Sequence, residues 1–105
     1  MKTVAAIKLY FLTADEGGQS IIPKDNFSVP IVFEEDKELK HGLWSARIEF
    51  HITPNMERET TADLYLLFHD NEEAPNHLIK SGMKFELMTN RVIAKGFIET
   101  IRIGK

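Results

Sequence analysis

Val4-Ala5-Ala6-Ile7-Lys8-Leu9-Tyr10-Phe11 runs directly into Leu12-Thr13-Ala14-Asp15-Glu16-Gly17-Gly18. Strict alternation places Ile7, Leu9 and Phe11 on one face of an extended strand and Lys8, Tyr10 and Leu12 on the other. The acidic turn closes that strand, and its paired glycines offer the positive φ that a sharp corner demands. A glycine-rich phosphate cradle needs a helix behind it, and Gln19-Ser20-Ile21-Ile22-Pro23 does not promise one. The stretch reads as a strand and its corner.

The same period of two recurs along the chain. Phe27, Val29, Ile31 and Phe33 alternate with Ser28, Pro30 and Val32, and Pro30, lacking an amide donor, argues for an edge or bulged position. Trp44, Ala46, Ile48, Phe50 and Ile52 alternate with Ser45, Arg47, Glu49 and His51. Ala62, Leu64, Leu66 and Phe68 alternate with Asp63, Tyr65, Leu67 and His69. Met83, Phe85 and Leu87 follow, and the β-branched run Arg91–Ile103 ends the pattern after a Thr89-Asn90 turn. Between strands lie Glu34-Glu35-Asp36-Lys37, Pro54-Asn55, Asp70-Asn71 and Gly82. The one helical candidate is a single turn within residues 74–80.

Six strands with both faces partly apolar predict an all-β domain, a small closed barrel or a tight sandwich, and closure would also remove exposed sheet edges. The 105 residues form one domain, residues 1–105, with a core drawn from Ile7, Leu9, Phe11, Ile31, Ile48, Phe50, Leu64, Leu66, Phe85 and Leu87.

Composition narrows the function classes. Hydrophobic and charged fractions of 43% and 28% are those of a globular protein. With no cysteine, disulfides, thiolate metal sites and cysteine nucleophiles are excluded. Lys8 interrupts the first apolar run before it reaches the roughly 7–15 residues of a secretory core, and no stretch nears the roughly 20 of a membrane span. The expectation is a cytoplasmic protein that meets no membrane. The net charge of −3 conceals an asymmetry: residues 34–73 hold eleven acids and four bases, residues 80–105 two acids and six bases. A general nucleic-acid binder is basic overall, so two differently charged solvated faces are the simpler reading.

No catalytic motif appears. The serines at 20, 28, 45 and 81 lie in no Gly-x-Ser-x-Gly elbow. Glu49 and His51 share a strand face, the pattern of a charged ladder more than of an acid–base pair. His69, Asp70, Glu72, Glu73 and His77 form the best metal-like cluster, yet their spacing fits no recognised site, and no metal or cofactor is assigned. Tyr10, Leu12, Tyr65 and Leu67 lie on strand faces opposite the core, where exposed together they would form a partner surface. Lys84, Arg91 and Lys95 suggest a basic strip on the last hairpin for RNA contact, with Phe97 or Tyr10 for stacking. Arg102 would join it only if a bulge near Gly96 shifted the register.

The chain resembles the C-terminal β-barrel, domain three, of elongation factor Tu and related translation factors. Leu12-Thr13, Asp15-Glu16, Gly17-Gly18 and Pro23 are similar to the family's first strand end and corner. Gly82-Met83-Lys84-Phe85-Glu86-Leu87 resembles its Gly-Leu-Arg-Phe-Ala-Ile strand, and Arg91–Ile98 its closing Arg-Thr-Val-Gly-Ala-Gly-Val-Val strand. Leu66-Leu67-Phe68-His69 falls where the family has Leu-Ile-His-Pro. The departures concern function. Thr89-Asn90 replaces the Gly-Gly that approaches tRNA, Gln19 replaces an arginine, Asp70 a proline, and Arg58-Glu59-Thr60-Thr61 a Pro-Gly-Asp-Asn turn. With no Gly-x-x-x-x-Gly-Lys-Ser/Thr loop there is no GTP site. The resemblance implies a six-stranded closed barrel of Greek-key type used alone; with no catalytic motif, the expectation is not an enzyme but a protein-binding or self-associating module, with RNA or tRNA binding as the alternative.

Overall fold

A computed structural model describes residues 2–18, 22–54 and 57–104. Gln19 and Asn55, which figure in the corner and turn readings above, lie outside the described residues. Six strands form: β1 Lys2–Phe11, β2 Phe27–Phe33, β3 Trp44–Phe50, β4 Glu59–Leu66, β5 Lys84–Met88 and β6 Val92–Gly104. They close in the order β1-β4-β3-β2-β5-β6, every neighbouring pair antiparallel. Strands β2, β3 and β4 form a meander, with β1 returning beside β4 and β5 beside β2. The barrel is thus two overlapping Greek keys.

Inward residues fill the barrel as a small closed sheet requires. Ile7, Ile48, Leu64, Leu66, Leu87 and Ile98 are fully enclosed. Each removes a whole aliphatic side chain from water, worth about 1.5–3 kcal/mol. Nine of the ten expected core residues are buried; Phe50 is half-buried. Phe50 instead joins Phe11 and Phe27 in a triad with centroids 5.8–6.2 Å apart, packed against the core. At the opposite end of the barrel, Leu78, Ile79 and Met83 from the long β4–β5 connection are buried in the core. That connection contains the expected single turn, a 3-10 helix at Asn76–Leu78.

Two alternations stop before the pattern does. β3 ends at Phe50, leaving Ile52 70% exposed, and β4 ends at Leu66, leaving Phe68 60% exposed. Pro30 sits just outside the β2–β5 ladder, which begins at Ile31, so its missing amide costs no bond there.

The first corner is a 3-10 turn at Ala14–Glu16 with a reciprocal capping box: Thr13 Oγ1 accepts from the Glu16 amide, and Glu16 Oε1 from the Thr13 amide. Gly17 ends it at φ +92°. Gly18 is needed for a different reason, since a Cβ there would lie 2.6 Å from Leu12 Cβ.

Candidate functional site

The outer face of β1 and β6 supplies the floor of an open groove of about 590 Å³. Register dictates its lining. Tyr10 lies between Lys95 of β6 and Glu59 of β4, and Lys8 between Phe97 and Thr61. Directly opposed residues share a face, so Lys8, Tyr10, Lys95 and Phe97 all point outward. Between the last two, Gly96 faces the interior, where a Cβ would meet the Lys8 carbonyl oxygen at 2.6 Å and Phe85 Cζ at 2.7 Å. The missing side chain allows β6 to lie close over the Phe85 ring.

The other wall is the chain just after β3. The His51 amide donates to the Thr61 carbonyl at 3.1 Å and the Thr60 hydroxyl to the Ile52 carbonyl at 2.7 Å, folding this segment against the start of β4. Arg58, at φ +66°, donates through Nη1 to the Leu12 carbonyl at 2.9 Å, while its own carbonyl accepts from the Phe11 amide. Ile52 and Phe97, 70% and 41% exposed, both line the groove. Two loose ion pairs flank it, Lys8–Glu99 at 4.0 Å and Lys95–Glu86 at 3.7 Å.

Tyr10 lines the groove with its hydroxyl tied down, donating to Glu16 Oε1 at 2.6 Å. That bond to a carboxylate raises the Tyr10 pKa, helped by desolvation and by the Glu16 charge. Glu16 is held below the usual carboxylate range, first by the Thr13 amide and then by the Tyr10 hydroxyl.

The four-residue partner surface expected from strand parity does not assemble. Leu12 is 8% exposed, buried in the corner, with its amide bonded to the Ile93 carbonyl. Tyr65 lies under the Lys2 ammonium, 3.6 Å from the ring centroid. Leu67 is exposed, but at the end of the barrel where β1 begins. Glu59, opposite Tyr10, and Tyr65 are six residues apart on β4, about 20 Å along the strand. Only Tyr10 belongs to the groove.

The basic strip fares similarly. Lys84 and Lys95 share the outer face, but Lys95 lies opposite Glu86 and pairs with it at 3.7 Å. Arg91 lies in the β5–β6 turn and donates to the Gly18 carbonyl at 3.4 Å. It does not share a strand face with Lys95, because the strand begins at Val92 and the register shifts at Leu87/Met88. A second shift leaves Glu99 unpaired, and after it Arg102 points outward. Arg102 is then engaged by Asp63 through Nη2 at 2.7 Å.

Asp63 also accepts from His51 Nε2 at 2.7 Å, so His51 pairs with Asp63 across the sheet and not with Glu49 along its strand. Arg102, and then His51, hold Asp63 below the usual carboxylate range against the opposing effect of burial. Among the described residues no three histidine or acidic side chains converge as metal ligands. In the β4–β5 connection, His69 packs on Tyr65 and its carbonyl accepts from Asn76 Nδ2, while His77 packs on His41.

Nothing in the sequence marks Lys8, Ile52 or the threonines of the groove as members of one site. Ile52 carried a misleading signal, continuing the core parity of β3 beyond the strand's end. No protein-family model matches the chain, and no curated protein matches it either.

Proposed function

We propose that this chain is a non-catalytic barrel of translation-factor type, similar to domain three of elongation factor Tu, acting in the cytoplasm as a protein-binding or self-associating module. The closed six-stranded arrangement and the Gly17-Gly18 corner support the kinship. One observation carries the binding reading: Ile52 and Phe97 stand exposed along one 590 Å³ groove whose other lining is largely threonine, tyrosine, lysine and glutamate. Apolar anchors beside hydrogen-bonding groups are the anatomy of a recognition surface.

The groove suits an extended polypeptide with an apolar side chain between Ile52 and Phe97. Selection from a random peptide library on the immobilised protein tests this. Enriched peptides with that pattern, lost on Phe97→Asp, are expected. Enrichment unchanged by Phe97→Asp refutes the groove assignment.

RNA binding has one observation in its favour, the adjacency of Lys8, Lys95 and Phe97. Glu86 and Glu99 beside those lysines oppose it. A tRNA titration at low salt separates the readings: binding that weakens steeply with salt and is lost on Lys95→Glu replaces the peptide reading with the RNA one.

A further inference from the structure

β6 is the longest strand, and its two edges are treated differently. One pairs with β1 from Ala94 to Gly104. The other pairs with β5 only from Val92 to Phe97, and two further bonds join Ile98 to Gly82 and Met83. Beyond Ile98, no backbone bond among the described residues covers that edge. Alternate residues of a strand turn their amide and carbonyl to the same edge, so those of Thr100, Arg102 and Gly104 face β1 and those of Ile101 and Ile103 face the open edge, a template for another strand.

The side chains on this overhang are sorted. Ile101 and Ile103 oppose Ala5 and Thr3, on the face that would be interior if β5 continued. With no strand there they are 47% and 64% exposed. Thr100 and Arg102 take the outer face, where Arg102 is bound to Asp63. An apolar face and an open edge thus coincide at Ile101 and Ile103.

We propose that this edge pairs with the same edge of a second copy of the chain, antiparallel about a two-fold axis centred on Ile101. The partner follows from the register. A two-fold axis perpendicular to a sheet places one residue opposite its own equivalent. Centring on Arg102 sets two guanidinium groups face to face, which is destabilising. Centring on Thr100 requires the edge of Ile98, already bonded to Gly82 and Met83. Centring on Ile103 would draw in Lys105, outside the described residues, whereas centring on Ile101 opposes Ile101 to Ile101 and Thr100 to Arg102, with Glu99 left at its bulge beside Lys8. That register has no like-charge contact and brings four isoleucines onto one face. The pairing names the partner for the self-associating half of the reading above and uses a surface separate from the groove.

Edges this short make a small interface, below about 1,200 Å², so the dimer belongs in the weak class with a dissociation constant on the order of 10–100 μM. Sedimentation equilibrium from about 1 μM to about 1 mM brackets that range. The wild-type mass should double across the series. Ile101→Lys, at an exposed position, should weaken the dimer at least tenfold, and Phe97→Asp should leave it unchanged. The absence of native cysteine allows a geometric check. Opposed residues in an antiparallel pair have Cα atoms about 4.5–5.5 Å apart, within disulfide range. Ile101→Cys should form a linked dimer at least tenfold faster than Leu43→Cys, which is exposed elsewhere. A monomer throughout, equal cross-linking rates, or a dimer indifferent to Ile101→Lys would each overturn the proposal. If Phe97→Asp breaks the dimer and Ile101→Lys does not, the second copy occupies the groove, and the edge assignment fails while the binding-module reading stands.

Discussion

Replacing Gly96 by alanine should unfold this barrel more readily, and the sign of the effect is the test. At an open strand position the same change stabilises by about 0.5–1 kcal/mol, because glycine loses more conformational freedom on folding. Gly96 is not open. Its added Cβ would stand 2.6 Å from the Lys8 carbonyl oxygen and 2.7 Å from Phe85 Cζ. Ordinary contact begins near 3.5 Å, so both neighbours must retreat by close to an ångström. Neither moves cheaply: Lys8 belongs to the β1–β6 ladder and Phe85 is 2% exposed. Overpacking of this kind costs about 1–3 kcal/mol and sometimes more. Two rigid neighbours put Gly96 at the upper end, for a net loss of about 2–3 kcal/mol after the entropic gain. For a domain of this size the melting temperature should fall by about 10 °C or more. Urea unfolding followed by circular dichroism and by the single tryptophan, Trp44, measures it, provided the two probes coincide. Phe85→Leu removes the outer ring carbons, so adding it to Gly96→Ala should cost about 1 kcal/mol less than the two separate losses combined. An unchanged or raised midpoint in Gly96→Ala would refute the close-approach argument.

Two further outcomes follow from named contacts. Asp63 has a lowered folded pKa, so its pairing stabilises the protein above the unfolded carboxyl value of about 3.9 and is lost as pH falls through the lower folded value. The urea midpoint of Asp63→Asn should therefore lie below wild type at pH 6, with the gap narrowing toward about pH 3; a constant gap would contradict this origin. Leu12→Ala should cost about 2–3 kcal/mol in the same assay and Leu67→Ala less than about 0.5, because the first residue is buried in the corner and the second is 41% exposed. Equal losses would be inconsistent with that placement.

The strands and most of the core were legible because alternating burial is a local property, written into each segment by the chain itself. Ile7, Leu9, Ile48, Leu64 and Leu87 needed no knowledge of their neighbours. The candidate site was far less legible. Leu12 and Tyr65 have the parity of surface residues, yet one is sealed by the corner and the other covered by Lys2, contacts made by chain that is elsewhere in the fold or across the sheet. Ile52 and Phe68 continue an apolar rhythm past the ends of β3 and β4, and local pattern carries no mark of those ends.

By itself the sequence determined an all-β chain of six strands, a turn at Gly17 and an interior of alternating aliphatic residues, since these follow from the period of two and from the φ that glycine permits. Only the tertiary structure decided the order of strands around the barrel, the shifts that leave Ile93 and Glu99 unpaired, and the length by which β6 outruns β5. Those are relations between segments. A single residue of slip reverses which face a side chain takes, so the groove at Phe97 and the open edge at Ile101 exist only once the partner strands are in place.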